Sequence, residues 1–328
     1  MLSTGGRHSP RASTLDVVIV GLVVNPVSSK DIRRLVGLAR VVDSAEKVNI
    51  VARLLTGLSA GAPLEVLALD DGAGLVRRAA RVAGRARPPI EFLPLRPTHT
   101  EEDSAQAARL LAQAGAAAVV VVGGDGTVRA VVEGWPEAPL VAVSAGTNNA
   151  LALTEEPTLL GYATVLAIET GLECFRPLLS VEVSGAGQRA TAVVDAVGVR
   201  HQWVGAAALW EPSTLVEGVF TMAEPAAVGM ASVAAAFGPL LAGRARYLRF
   251  GPGRTVRAVL APGLVRDVEI AEVRDLGVGD PVLVDPEVTL LALDGERRLA
   301  AGGTVLTPRS GPYLLEPHAA LARRLERH

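Results

Sequence analysis

The first half of the chain alternates runs of consecutive apolar residues with segments in which apolar residues recur at helical spacing. The apolar runs cover residues 17–25, 64–69, 90–95, 117–122 and 140–143, and the helical segments cover 32–41, 46–58, 74–82, 101–114 and 128–133. A continuous apolar, β-branched run is typical of a strand that is covered on both faces, as in parallel sheets. Strands alternating with helices therefore predict an α/β domain with a parallel sheet and right-handed crossovers over residues 16–152.

The second half has a different pattern. A helical segment at 157–170 leads into short apolar segments separated by Gly and Pro, at 178–183, 190–199, 256–260, 265–273, 288–293 and 305–307. This pattern predicts an antiparallel β-rich domain, a sandwich, over residues 153–308, with a helical insertion at 214–241. Residues 309–328 contain an amphipathic helix that we expect to pack back on the first domain, and residues 1–15 are expected to be a disordered tail.

Composition narrows the classes of partner. The 328 residues are 49% hydrophobic but only 3% aromatic, and the formal net charge is −2. So few aromatic residues, and no basic stripe, argue against nucleic acid as a partner. Cys174 is the single cysteine, which excludes an intrachain disulfide and fits a reducing cytoplasm. We expect a cytoplasmic protein, and we also expect it to form homo-oligomers.

One apolar segment, residues 226–243, approaches the length of a membrane span. Ser232 and Pro239 interrupt this segment, which is rich in Ala and Gly. A buried pair of Ala-rich helices is therefore the preferred interpretation, and we expect no membrane contact.

The sequence VVVVGGDGT joins an apolar strand to a glycine-rich turn and a following helix. Gly123, Gly124 and Gly126 allow the backbone to turn sharply and bring N–H groups close to an anion. Thr127 opens a helix whose N-terminus adds donors and a favourable dipole, so phosphate is the predicted ligand. Asp125 would repel that phosphate unless a cation or a hydroxyl proton lay between them. It is therefore a candidate ligand of Mg²⁺ or a candidate base for an attacking hydroxyl.

A second polar loop, SAGTNN, follows the next predicted strand. The carboxyl ends of parallel strands meet at one edge of the sheet, where ligands bind. The loop offers hydroxyl and amide groups that hydrogen-bond a nucleotide without adding charge. Its predicted nucleotide-binding residues are Gly146, Thr147, Asn148 and Asn149. The Asn-Pro turn after the first strand makes Asn25 a further candidate for binding the phosphate tail.

These motifs, in this order, resemble the superfamily of NAD kinases, diacylglycerol kinases and sphingosine kinases. The shared features are NP after the first strand, GGDGT after an apolar strand, the following GTNN loop and a late DGE. Longer segments, including NPVSSKDIRRLVGLA, PLVAVSAGTNNA, VRAVLAPGLV and LALDGERRL, are similar to the acetoin catabolism protein X family, a branch of the ATP-NAD kinase-like proteins. The resemblance covers about residues 21–317 and implies two domains with a site in the cleft between them.

The resemblance also implies roles for individual residues. In NAD kinases the acid of GGDGT lies near the hydroxyl that is phosphorylated, so Asp125 inherits a candidate catalytic role. In the lipid kinases a base role belongs to the late DGE acid, which makes Glu296 a rival. Asp294 of the same motif is assigned to the nucleotide site. The resemblance places residues 193–195 where NAD kinases have the Asn-Glu dipeptide that grips NAD, which makes Asp195 a candidate for binding the cofactor. This chain has no Asn-Glu pair there.

The resulting hypothesis is an ATP-dependent, Mg²⁺-dependent kinase that phosphorylates a hydroxyl group, with the 2′-OH of NAD as acceptor and a link to acetoin catabolism. One alternative is a nucleotide-binding regulatory or accessory protein of an acetoin-degrading dehydrogenase system, without phosphate transfer. Another is a lipid or small-polyol kinase, with residues 226–243 lining an apolar acceptor cleft. The sequence leaves open whether ATP or polyphosphate is the donor.

Overall fold

The computed structural model describes residues 17–28, 38, 42–145, 149–171, 173–185, 187–200, 209, 211–295 and 297–323. The described helices are α1 (Ser44–Leu58), α2 (Leu75–Ala83), α3 (Glu101–Gln113), α4 (Asp125–Gly134), α5 (Pro157–Glu169), α6 (Met230–Ala235) and α7 (Pro317–Ala322), with a 3₁₀ turn at Pro212–Thr214. The strands are β1 (Val18–Val24), β2 (Leu64–Ala68), β3 (Ile90–Phe92), β4 (Ala118–Gly123), β5 (Pro139–Ser144), β6 (Phe175–Gly185), β7 (Gln188–Ala192), β8 (Asp195–Val199), β9 (Leu215–Phe220), β10 (Ala245–Ala261), β11 (Leu264–Leu276), β12 (Val282–Leu283), β13 (Leu290–Leu293), β14 (Arg297–Ala300) and β15 (Val305–Leu315).

The first half forms the predicted α/β domain. Its strands lie side by side in the order β3-β2-β1-β4-β5, and every pairing among them is parallel. Every residue of β4 is buried, because helices cover both faces of the sheet at its centre. The sequence predicted this arrangement, and the structure confirms it.

The second half forms the predicted β-rich domain, and its two layers belong to different sheets. The second sheet has the order β11-β10-β9-β8-β13-β14, with antiparallel pairings throughout. It packs against β6, β7 and β15, where Val181 and Leu306 share a core with Val219 and Leu291. The sandwich prediction is therefore confirmed.

A single sheet runs through both halves of the chain. Strand β15 is antiparallel to β6, and its last residues pair in parallel with β5, where Tyr313 lies opposite Pro139. The following helix, α7, then places Ala320 in the core of the α/β domain. The two halves are thus joined through backbone hydrogen bonds as well as through side-chain packing.

The predicted helical insertion at 214–241 is wrong. Strand β9 (Leu215–Phe220) fills the beginning of this range as a fully buried strand of the second sheet, and the helical part is the six-residue α6. The predicted pair of Ala-rich helices at 226–243 is likewise replaced by this one short helix. A short apolar run is compatible with a strand or a helix, and periodicity does not separate them. Within the described residues, no helix has the length and apolar character needed to cross a membrane.

The single strand predicted at 190–199 is two strands in two sheets. The chain leaves the first sheet after Ala192, turns at Val193 and Val194, and enters the second sheet at Asp195. This corner is where the two layers of the sandwich meet the α/β domain. The predicted tail at 1–15 and the predicted helix at 32–41 lie outside the described residues, apart from Leu38.

Candidate functional site

The GGDGT loop forms a tight junction between β4 and α4. Gly124 caps the helix, and its carbonyl accepts hydrogen bonds from the backbone N–H groups of Thr127 and Val128. A Cβ atom at Gly123 would lie 2.6 Å from Thr127 Oγ1, and one at Gly124 would lie 3.0 Å from Asn149 Oδ1. The paired glycines therefore allow the strand end, the first helical turn and the SAGTNN loop to approach one another closely.

The Asn-Pro turn after β1 reaches the same place. Asn25 Nδ2 donates a hydrogen bond of 2.8 Å to Thr127 Oγ1, and Ser28 Oγ donates one of 3.1 Å to the carbonyl of Ala145. The loops that follow β1, β4 and β5 are thus joined at one edge of the sheet. The sequence predicted this meeting from the parallel arrangement alone.

A buried lysine, which sequence reasoning missed, shapes the Asn-Pro turn. Lys47 is 2% exposed, and its Nζ donates to the carbonyls of Asn25 (3.3 Å), Pro26 (2.9 Å) and Ser28 (2.6 Å). Buried ammonium groups are costly unless their donors are satisfied, and these carbonyls satisfy them. The available signal was its position: Lys47 lies on the apolar stripe of α1, three and four residues before Ile50 and Val51.

A cavity of about 540 Å³ opens at this edge of the sheet. Gly124, Gly126 and Thr127 form one side of it, together with Asn25 and Asn149. The cavity then extends past the ends of β2 and β3. Its size is that of a pocket for a small molecule or a nucleotide.

Asp125 lines a different space. A small cleft of about 30 Å³ lies between the loop and the second sheet, and Asp125 and Asp195 line it together with apolar residues that include Met230 and Leu260. Asp125 is 8% exposed; its Oδ2 accepts from the N–H of Ala150 at 2.8 Å, and its Oδ1 accepts from the N–H of Leu151 at 3.2 Å. The loop therefore separates two spaces, with Gly124 and Gly126 on the large one and the carboxylate of Asp125 on the small one.

Asp294 holds the corner between the two sheets. Its backbone is left-handed, with φ of 50°, and its side chain is fully buried. The carboxylate accepts hydrogen bonds from the N–H groups of Val193, Val194 and Asp195, at 2.8–3.2 Å. These oxygens bind the backbone of the corner, and the nucleotide contact expected from the sequence stays a prediction. Asp294 fixes the backbone that carries Asp195.

Arg129 connects this corner to the phosphate loop. It lies on α4, and its Nη1 donates to the carbonyl of Leu293 at 3.2 Å and lies 3.8 Å from Asp294 Oδ2. Its Nη2 donates to Glu101 Oε2 at 2.8 Å, at the start of α3. One arginine therefore bridges the α/β domain and the β-sandwich. The sequence offered no signal for this contact, since Arg129 and Asp294 are far apart along the chain.

The ionisation of Asp294 predicts a pH-dependent stability. Burial raises the pKa of Asp294 to about 6, while Arg129 and the backbone N–H groups oppose the rise. Because this pKa lies above the unfolded value of about 3.9, the folded chain binds more protons than the unfolded chain between these two values. We therefore expect the contribution of Asp294 to the free energy of unfolding to decrease by about 2–3 kcal/mol as the pH rises from about 4 to about 6.5, and to stay constant above that.

Urea unfolding of the wild type and of Asp294→Asn across this pH range measures the effect. The stability of the wild type relative to the variant should be greater at the acidic end. A difference that does not change with pH would show that Asp294 titrates as it does in the unfolded chain.

Several predicted site residues lie outside the described part of the chain, namely Gly146, Thr147, Asn148 and Glu296. The described residues contain no group of three or more His, Cys, Asp or Glu side chains that could hold a metal ion. Asp125 thus has no cluster of described protein ligands around it. A cation there would depend on ligands from a bound substrate, as is common for Mg²⁺.

A glycine-rich GGDGT loop between an α/β domain and a β-sandwich is typical of a kinase-like fold, and comparison with known proteins agrees. Residues 71–167 match the model described as Diacylglycerol kinase catalytic domain, and residues 177–306 match Acetoin catabolism protein X C-terminal domain. The chain is 36% identical over 316 residues to Acetoin catabolism protein X of Cupriavidus necator, covering 90% of this chain and 88% of that protein. It belongs to the acetoin catabolism protein X family.

Solved structures with a similar fold are more distant. A putative diacylglycerol kinase from Bacillus anthracis has a TM-score of 0.42 and 11% identity, covering 90% of this chain and 97% of that chain. An NAD kinase from Archaeoglobus fulgidus in complex with ATP has a TM-score of 0.36 and 12% identity, covering 79% and 96%.

Proposed function

We propose that the protein is a phosphotransferase that moves the γ-phosphoryl group of ATP to a hydroxyl group bound beside Asp125. The observation that carries the proposal is the division of space by the GGDGT loop. Backbone of Gly124 and Gly126 faces the large cavity, where a phosphate chain would bind, and Asp125 faces the small cleft. A donor on one side and an acceptor on the other would meet at the loop.

The chemistry follows from this placement. The acceptor oxygen attacks the γ-phosphorus, the bond from that phosphorus to the β–γ bridging oxygen breaks, and ADP leaves. The hydroxyl proton passes to the carboxylate of Asp125. The N–H groups of Ala150 and Leu151 hold that carboxylate in one orientation, so that it is already in position when the substrates bind. Catalysis of this class depends mainly on positioning and on neutralising phosphate charge.

Mg²⁺ fits this site as an ion that arrives with the nucleotide. Asp125 supplies one carboxylate, and phosphate oxygens would complete the oxygen ligands that the ion prefers. Such an ion would neutralise the charge that develops on the transferred group. The chain's own contribution is the fixed carboxylate and the glycine backbone.

The identity of the acceptor molecule is the more specific part of the proposal. NAD, through its adenosine 2′-OH, is the acceptor that the resemblance to NAD kinases supports. A specific observation favours a second candidate, a small uncharged hydroxyl compound. The small cleft has about the volume of one water molecule, and the described side chains that line it include the carboxylates of Asp125 and Asp195 but no Lys, Arg or His. An acidic cleft of this size accommodates a hydroxyl group and opposes the pyrophosphate of a dinucleotide.

The test is a phosphorylation assay with the purified protein, Mg-ATP and separate acceptors: NAD, NADH, diacylglycerol and acetoin-related diols. We expect one hydroxyl acceptor to yield a phosphorylated product and stoichiometric ADP. Transfer to NAD alone would identify an NAD kinase, and transfer to a diol alone would identify the small acceptor. Binding of ATP with no transfer to any acceptor would contradict the proposal and support a nucleotide-binding accessory protein of acetoin degradation.

A further inference from the structure

The large cavity has a second half that the phosphate loop does not form. It lies beyond the ends of β2 and β3, where Asp70, Gly72, His99 and Glu101 contribute to its lining. The near half contains glycine, hydroxyl and amide residues beside apolar ones, whereas the far half is rich in carboxylates. The two halves therefore suit different parts of one ligand.

The loop that carries His99 is held in an unusual conformation. His99 has a φ of 63°, in the left-handed region that non-glycine residues adopt infrequently. The carboxylate of Asp103 maintains it, accepting from the N–H of His99 at 2.7 Å and from both the N–H and the hydroxyl of Thr98. Burial raises the pKa of Asp103, but these hydrogen bonds together outweigh it, so the net pKa is lowered and the carboxyl group stays ionised. The loop thus holds the backbone of His99 in one conformation beside the cavity.

The imidazole of His99 lies directly against Gly72. A Cβ atom at Gly72 would be 2.3 Å from Cε1 and 2.6 Å from Nδ1 of the ring, so Gly72 leaves room for it. His99 is exposed on its remaining side, and both residues line the cavity. An aromatic ring at a cavity wall offers a surface for a planar ligand group.

The charge of the far half selects among phosphoryl donors. Asp70, Asp71, Glu101 and Asp103 line it, and Arg129 is the one cation among the described residues that line the cavity. Asp71 is committed to capping α2, through N–H groups that include those of Leu75 and Val76. Asp70 instead lies at the cavity rim with a partly exposed side chain, paired with Arg77. Arg77 and Arg129 offset two of these four charges. The remaining net negative charge disfavours an extended polyphosphate chain, and the carboxylate oxygens can accept from hydroxyl and amino groups.

We propose that this far half is the nucleoside subsite of the phosphoryl donor, in which Asp70 accepts hydrogen bonds from the ribose hydroxyls and His99 contacts the base. An acidic residue after the second strand of a parallel sheet binds ribose in dinucleotide folds for the same chemical reason. The proposal rests on the proposed function, and it makes the donor a nucleoside triphosphate, since polyphosphate has no group for this subsite.

Calorimetric titration with two ligands tests the subsite: a non-hydrolysable ATP analogue and inorganic tripolyphosphate. The first variants are His99→Asn, which keeps a residue tolerant of left-handed backbone, and Gly72→Ala, which displaces the ring without removing it. Base contacts of this kind are worth about tenfold in affinity, so both variants should bind the analogue about tenfold more weakly. Their affinity for tripolyphosphate should be unchanged.

The third variant is Asp70→Asn, with Asp267→Asn as its matched control. Asp267 also pairs with an arginine, Arg257, on an exposed part of β11 and remote from the cavity lining. Asp70→Asn should lower the affinity for the analogue about tenfold. The affinity for tripolyphosphate should stay unchanged or increase, since a repulsive charge is removed. Asp267→Asn should leave both affinities as in the wild type.

The possible outcomes separate the subsite from the kinase proposal. Unchanged affinity for the analogue in all three variants, or equal weakening of both ligands, overturns the subsite even if ATP serves as donor in the phosphorylation assay. If the variants bind only the ATP analogue more weakly, and no phosphoryl group is transferred to any acceptor, the subsite proposal is supported and the kinase proposal is contradicted. A wild-type protein that binds neither ligand overturns both.

Discussion

Replacing Asp125 with asparagine is expected to lower the rate of phosphoryl transfer by about 100-fold or more, because the variant has no group to accept the hydroxyl proton. The amide oxygen of asparagine still accepts a hydrogen bond from Ala150, so the loop should keep its shape. The glycine backbone of the large cavity is untouched, so the affinity for an ATP analogue measured without Mg²⁺ should change little. Rates under saturating Mg-ATP and acceptor, together with calorimetric nucleotide binding, measure the two effects separately.

Asp280→Asn is a suitable control for Asp125→Asn. Asp280 is an exposed aspartate that also accepts a backbone N–H, from Gly277 at 2.7 Å, and it does not line either space. It should retain the wild-type rate. Glu296→Gln tests the rival base from the DGE motif. Full activity in Asp125→Asn with a large loss in Glu296→Gln would transfer the base role to Glu296.

Replacing Arg129 with methionine is expected to lower the free energy of unfolding by about 3–5 kcal/mol, because it leaves Asp294 buried without its cationic neighbour. The side chain of Arg129 is 3% exposed and that of Asp294 is fully buried, so water cannot compensate. The carbonyl of Leu293 also loses its donor. Since Arg129 lowers the pKa of Asp294, its removal should move that pKa upward. Urea unfolding at neutral pH measures the loss.

The control for this prediction is Arg109→Met, which removes an exposed arginine that pairs with Glu102 on α3. Exposed pairs of this kind contribute about 0–1 kcal/mol, so its stability should stay close to that of the wild type. A double-mutant cycle with Asp294→Asn then isolates the pair, and the double variant should be less destabilised than the sum of the single variants. Additive effects would mean that Arg129 stabilises the fold through Leu293 and Glu101 alone.

The α/β domain was predictable because its signals are local. Apolar β-branched runs such as the one in β4 indicate strands that are buried on both faces, and their alternation with helices dictates a parallel sheet. Parallel strands in turn bring their carboxyl ends to one edge. The meeting of the loops at Asn25, Thr127 and Asn149 therefore followed from strand order, before any contact was known.

The β-sandwich was predictable as a class but not in its connections. The run at 215–220 was predicted as part of a helical insertion, because a short apolar segment carries no decisive period. The break at Val193 and Val194 was missed because both residues are apolar and β-branched, as a strand requires. The chain bends there because its N–H groups bind the carboxylate of Asp294, about 100 residues later. The local sequence around Val193 and Val194 gives no indication of a partner so far along the chain.

The sequence by itself determined the class of fold, the glycine-rich turn after β4 and the presence of a carboxylate within that turn, since each depends on residues that are neighbours in the chain. Tertiary structure alone decided which space each part of that loop faces. It placed the glycine backbone on a large cavity and Asp125 on a small acidic cleft, and it gave Lys47, Arg129 and Asp294 their positioning roles. The physical reason is that buried charges are satisfied by whichever partners the packed sheets bring within reach, and those partners are distant in sequence.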